Sequence, residues 1–176
     1  MAYNRRHIIK NTFSSVEINA SSKVIWDNIT NVKIEQFPDL LIFKIFDIPK
    51  PLRAEIISEG KGGKRIAYFN TGKRFMQEII EWEPFNKYSF SFNPEAGFKV
   101  CHFFELSRGV FRIPMGEYLL SSEGQRTCLT LGTTYSIDRR FYIFLHFPVW
   151  LILKIFQRYL LTSIKNISQR NECDKN

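Results

Sequence analysis

A chain of 176 residues with 44% hydrophobic and 24% charged residues is of single-domain size and can bury a core, which excludes a disordered polymer. Its formal net charge of +8 is dispersed in short pairs such as Lys73-Arg74 and Arg139-Arg140, with no long block of like charge. Nucleic acid is therefore not an expected partner, whereas weak peripheral contact with an acidic membrane surface fits such a balance.

The first predicted element is a short strand at SSVEI, residues 14–18, where polar and apolar residues alternate. A helix follows in NASSKVIWDNITN. Ser21 or Ser22 can cap it, and Val24, Ile25 and Ile29 supply its apolar face. VKIEQFP reads as a second short helix stopping at Pro38, and residues 39–53 as an apolar, irregular stretch in which Pro49 and Pro51 exclude a central strand.

A run of antiparallel strands comes next: AEIISEG, KRIAYFN, FMQEIIEW, KYSFSF, GEYLLSS and RTCLTLGTTYSI. The turns between them at 60–63, 70–73, 83–86 and 122–125 carry the Gly, Pro or Asn of tight connections. KYSFSF alternates most cleanly, with Tyr88, Phe90 and Phe92 on one face and Ser89 and Ser91 on the other. Residues 93–109 read as a longer loop.

The most apolar run is FYIFLHFPVWLILKIF, residues 141–156. A membrane span needs about 20 predominantly apolar residues, and His146, Pro148 and Lys154 interrupt this one. It reads instead as the start of a long amphipathic helix with Pro148 in its first turn. Val149, Leu153, Phe156, Leu160, Ile164 and Ile167 form one stripe at spacings of three and four. The chain thus reads as one α+β domain over 1–176, with 1–12 as an N-terminal extension and 171–176 as a frayed tail.

Three blocks resemble the START-like (SRPBCC) superfamily, which includes polyketide cyclase/dehydrase-like proteins. They are the opening EINASSKVIWDNITNV, the middle block with its FNTG turn and its strand ending in WEP, and the closing GEYLLSSEGQRTCLTLGTTYSI. The spacing from Gly72 to Trp82 is one residue longer than the pattern of that superfamily's bacterial branch. The resemblance implies a helix-grip fold: a curved antiparallel sheet of about six to seven strands around a long C-terminal helix, with two short helices after the first strand. It also implies a cavity between sheet and helix for a lipid, a polyketide or another apolar molecule.

On that fold, the expected ligand-binding residues are Phe75, Tyr88, Phe90, Phe92, Tyr118, Leu131, Thr133 and Tyr135 from the sheet, with Trp150, Leu153 and Phe156 from the helix. The segment from Leu40 to Phe46 is expected to cover the mouth. Glu78 and Tyr135 are the candidate proton-transfer groups of an enzymatic alternative. Strict alternation puts Glu78 with Met76, Ile80 and Trp82, on a face that is interior if it acts and exterior if it is a solvated residue.

Cys101 and His102 are adjacent, but strand neighbours point to opposite sides, so they do not make a catalytic pair. The three cysteines form no CxxC, and there is no HxH, HExxH, GxGxxG or phosphate-loop motif, so neither metal nor cofactor is expected. An N-terminus without a signal-peptide pattern leads to the expectation of a cytoplasmic protein. The leading expectation is a binding protein for a small hydrophobic molecule. An enzyme of the cyclase/dehydrase kind and a membrane-surface protein are the alternatives.

Overall fold

The computed structural model describes residues 6–33, 41–45, 47–94, 97–100, 104–105, 109–124 and 126–173. Strand β1 spans His7–Ile18 and pairs without interruption along β10, Arg126–Asp138, from His7 opposite Asp138 to Ile18 opposite Thr127. The expected N-terminal extension is thereby corrected. Residues 7–12 are strand, because β10 offers a full ladder of partners that a local pattern does not reveal.

Helix α1, Ser22–Thr30, buries Val24, Ile25, Trp26 and Ile29. Ser21 takes the N-cap position, but its hydroxyl does not cap the helix; it donates to Glu172 Oε2 at 3.2 Å. Residues 34–40, including Pro38 of the expected second helix, lie outside the described residues. A one-turn helix α2, Leu41–Ile45, occupies part of the stretch read as irregular.

The sheet continues with β2 (Pro51–Ser58), β3 (Lys64–Phe69), β4 (Arg74–Glu83), β5 (Lys87–Ser91) and β9 (Phe111–Glu123), in the spatial order β1-β10-β9-β5-β4-β3-β2. Every neighbouring pair is antiparallel. Pro51 opens β2 on the sheet edge, where its missing N–H costs no ladder bond. Short strands β6 (Asn93–Pro94), β7 (Lys99–Val100) and β8 (Phe104–Glu105) fall in the stretch read as a loop, and β9 begins five residues before Gly116.

Helix α3, Tyr142–Cys173, lies against β1, β10 and α1. It starts a turn and a half earlier than the sequence pattern suggests, so Pro148 is inside the helix and not in its first turn. It also continues through residues 171–173, the start of the expected frayed tail. At 32 residues it is long and apolar enough, by length and composition, to cross a membrane, which the interrupted 141–156 run alone did not suggest. Its second half is nevertheless committed to the protein, with Gln157, Leu161, Ser163, Ile164 and Ser168 buried.

The interior divides along the strands. At one end α1 plugs the curved sheet: Ile25, Trp26 and Ile29 pack with Ile79, Tyr88, Phe90, Tyr118, Leu129 and Leu131 into a closed core. At the other end no such plug exists among the described residues, and the first half of α3 faces the sheet across a gap.

Candidate functional site

That gap is a cavity of about 300 Å³. From the sheet, Phe69 on β3, Phe75 on β4, Phe111 and Ile113 on β9 and Thr133 on β10 reach into it, joined by Phe92 just beyond β5. Phe98 and Val100 close one flank, Ile48 and Pro49 another. From α3 come Leu145, Pro148, Val149, Ile152, Leu153 and Phe156, at the three- and four-residue spacing of one helix face. The phenylalanines brace one another: Phe75 lies 4.3 Å from Phe98 and 4.7 Å from Phe69, ring centre to centre.

Among the described residues the lining carries no ionisable side chain and one hydroxyl, that of Thr133. Gln157 Nε2 donates to this hydroxyl at 2.9 Å. The wall therefore offers dispersion and apolar burial almost exclusively.

Of the residues expected at the site, the structure brings Phe75, Phe92, Thr133, Leu153 and Phe156 to the cavity. Tyr88, Phe90, Tyr118 and Leu131 point to the same side of the sheet but lie under α1 in the closed core. Tyr135 is buried beside the cavity without lining it. Trp150 is a correction. On a helix whose Val149 and Leu153 face inward it is turned toward solvent and stays 36% exposed.

Glu78 takes the exterior of the two placements that alternation left open. β4 buries Phe75, Gln77 and Ile79, leaving Glu78 exposed on the outer face with Met76 and Ile80. A register shift between Ile79 and Glu81 then returns Trp82 to the inner side, where it meets Trp26 edge-on at 4.9 Å.

The expected cover, 40–46, is described for 41–45 only; Phe43 packs on Phe156 and Tyr159 at 6.1 and 5.0 Å. Cys101 and His102 lie outside the described residues. The sequence reading missed Phe69, Phe98 and Phe111, whose signal is only their apolarity. It also missed Leu145 and Ile152, whose signal was the helical spacing to Val149 and Phe156.

Buried polar groups lie at both ends of the interior. Tyr135 Oη and His146 Nδ1 are 3.2 Å apart, with His146 stacked on Tyr142 at 4.8 Å. Burial pushes the Tyr135 hydroxyl pKa up, and Tyr142 adds to this. Deeper in, Arg65 is 3% exposed; its Nη2 donates to the Ile29 carbonyl at 3.3 Å and its guanidinium lies 5.0 Å from the Phe90 ring centre. Among the described residues Arg65 Nε and Gln77 Oε1 have no hydrogen-bond partner, and the Tyr88 hydroxyl has the Arg65 guanidinium as its polar neighbour. Among the described residues no three His, Cys, Asp or Glu side chains converge as metal ligands.

A curved antiparallel sheet gripping one long helix, with an apolar cavity between them, is a helix-grip fold. The sequence matches no protein-family model, and no curated protein matches it. In three dimensions the chain is similar to norcoclaurine synthase of Thalictrum flavum, solved as a point mutant in complex with a transition-state analogue. The TM-score is 0.58 and the identity 16%, over 96% of this chain and 99% of that one. A protein of Nitrosospira multiformis matches with TM-score 0.55 and 15% identity, over 90% of this chain and 96% of the other. Ara h 8.0201 matches with TM-score 0.54 and 9% identity, over 90% and 97%. At these identities the likeness is one of fold.

Proposed function

We propose that this protein binds a small apolar or amphipathic molecule, of lipid or polyketide-like character, between the sheet and the first half of α3. The observation that carries this reading is the cavity of about 300 Å³, walled among the described residues by six phenylalanines and aliphatic side chains, with the one hydroxyl they contribute already engaged. Such a volume stands at the lower end of those that hold small ligands. Binding would draw on apolar burial of about 25 cal/mol per Å². The solved fold neighbour with a transition-state analogue bound supports the reading by showing that a protein of this architecture accommodates a small molecule. Proton-transfer catalysis has less support, since Glu78 faces outward and no ionisable group among the described residues lines the wall.

The test is native mass spectrometry of the freshly purified chain, followed by titration with N-phenyl-1-naphthylamine. A co-purifying apolar mass, or saturable one-to-one fluorescence displaced by a long-chain alcohol, is the expected result. A ligand-free mass together with no saturable fluorescence would overturn the proposal.

A further inference from the structure

The first turns of α3 are apolar on two sides. Leu145, Val149, Ile152 and Phe156 face the cavity. Ile143, Phe144, Phe147 and Leu151, spaced along the other side, are 86%, 77%, 65% and 42% exposed. Large apolar side chains scattered singly are normal on a protein surface, but such residues on consecutive turns of one helix mark a contact surface. Helix α2, held to α3 through Phe43, adds the exposed Leu41 and Ile45.

Charge identifies the occupant. From Arg139 to Asn171 the sequence contains six basic residues and no Asp or Glu. Arg139 and Arg140 stand exposed just before the helix, and Arg158 is exposed after the apolar turns. Asp138 pairs with Arg6 and Arg140, and Lys154 donates to the Phe13 carbonyl, so Arg139 and Arg158 are the cations this face presents most openly. A second copy docking through the same face would bring one basic helix face against another. A crossing helix would have to strip Gln157, Ser163 and Ser168 from their buried positions. An apolar face between basic flanks instead suits the boundary of an anionic bilayer, with the rings among the acyl chains and the guanidinium groups at the head groups.

We propose that the outward face of α3 over residues 143–151 inserts into the surface of anionic membranes. This goes beyond the cavity reading and does not depend on it. The cavity wall built by the same turns then lies at the membrane surface.

The test is co-flotation of the full chain with vesicles of phosphatidylcholine, alone or mixed with phosphatidylglycerol. Wild type should float with the mixed vesicles at low salt and much less with neutral ones. The double variant Phe144→Ser/Phe147→Ser should bind about a hundredfold more weakly, as two rings no longer leave water. Its unfolding midpoint and its N-phenyl-1-naphthylamine uptake should stay those of wild type, and Ile143→Ser should weaken flotation independently. Absence of wild-type flotation with anionic vesicles would overturn the proposal. So would equal flotation of the double variant, or a solution dimer that the double variant dissociates while vesicles are ignored.

Discussion

Gln157 on α3 and Thr133 on β10 are joined by a 2.9 Å hydrogen bond from Nε2 to Oγ1 at the edge of the cavity. The same amide group donates to the Thr12 carbonyl at 3.0 Å and accepts from Ser14 Oγ at 2.9 Å. One side chain, 1% exposed, thus ties the helix to two strands and occupies the hydroxyl that a ligand would otherwise meet. Gln157→Leu should destabilise the protein by about 1–3 kcal/mol, because it strands buried partners without replacing them. Thr133→Val removes one of those bonds and should cost less. Denaturant unfolding midpoints compare the two, and an unchanged Gln157→Leu midpoint would contradict this account.

Filling the cavity should separate binding from stability. Val149 and Ile113 both line it and are partly buried, so each has room toward the void. Val149→Trp or Ile113→Trp should weaken N-phenyl-1-naphthylamine uptake by about tenfold or more, with an unfolding midpoint equal to or above that of wild type. Undiminished uptake in both variants would place the ligand elsewhere.

Alkaline pH should expose the buried tyrosines. Burial raises the pKa of Tyr88 and Tyr118, with the nearby Arg65 charge opposing it, and burial also raises that of Tyr135. The folded state therefore holds these protons to higher pH than the unfolded chain does. Their contribution is complete below about pH 10, the ordinary tyrosine value, and is lost as pH rises from there through the folded values. Tyr88→Phe removes a buried hydroxyl that no hydrogen bond of good geometry satisfies among the described residues, with the Arg65 guanidinium as its polar neighbour. It should be neutral or stabilising by about 1 kcal/mol at neutral pH, with a shallower alkaline loss. Unfolding curves of both proteins at neutral and alkaline pH test this, and identical alkaline slopes would count against it.

Gly116 on β9 makes room for the aromatic face. A Cβ there would come within 2.9 Å of the Phe90 ring and 3.0 Å of the Phe92 ring. Gly116→Val should therefore cost about 1–3 kcal/mol through overpacking and alter probe affinity, since Phe92 lines the cavity. Glu78→Gln, on the outer face, should change stability by less than about 0.5 kcal/mol and leave uptake as it is. A large effect of Glu78→Gln on uptake would reopen its assignment to the exterior.

The strand FMQEIIEW shows where local reading stops. Phe75 and Ile79 favour one face as interior; Met76, Ile80 and Trp82 favour the other. Only pairing with β3 and β5 selects the first, and only the bulge after Ile79 lets Trp82 join it. The alternation of Tyr88, Phe90 and Phe92 was legible because serines separate them. The stripe from Val149 to Ile167 was legible because its helical period is sustained.

The sequence by itself determined the order of the long strands, the antiparallel sheet, the long closing helix and the apolar character of what lies between them. These follow from periodicity, turn residues and composition, all local properties. The division of one continuous aromatic face into a closed core at Tyr88, Phe90 and Tyr118 and a cavity at Phe75, Phe92 and Phe111 was decided by tertiary structure. So was the turning of Trp150 to solvent. The physical reason is that α1 covers only one end of the curved sheet. Whether an inward ring meets Trp26 or empty space depends on its height along the strand relative to a helix distant in sequence.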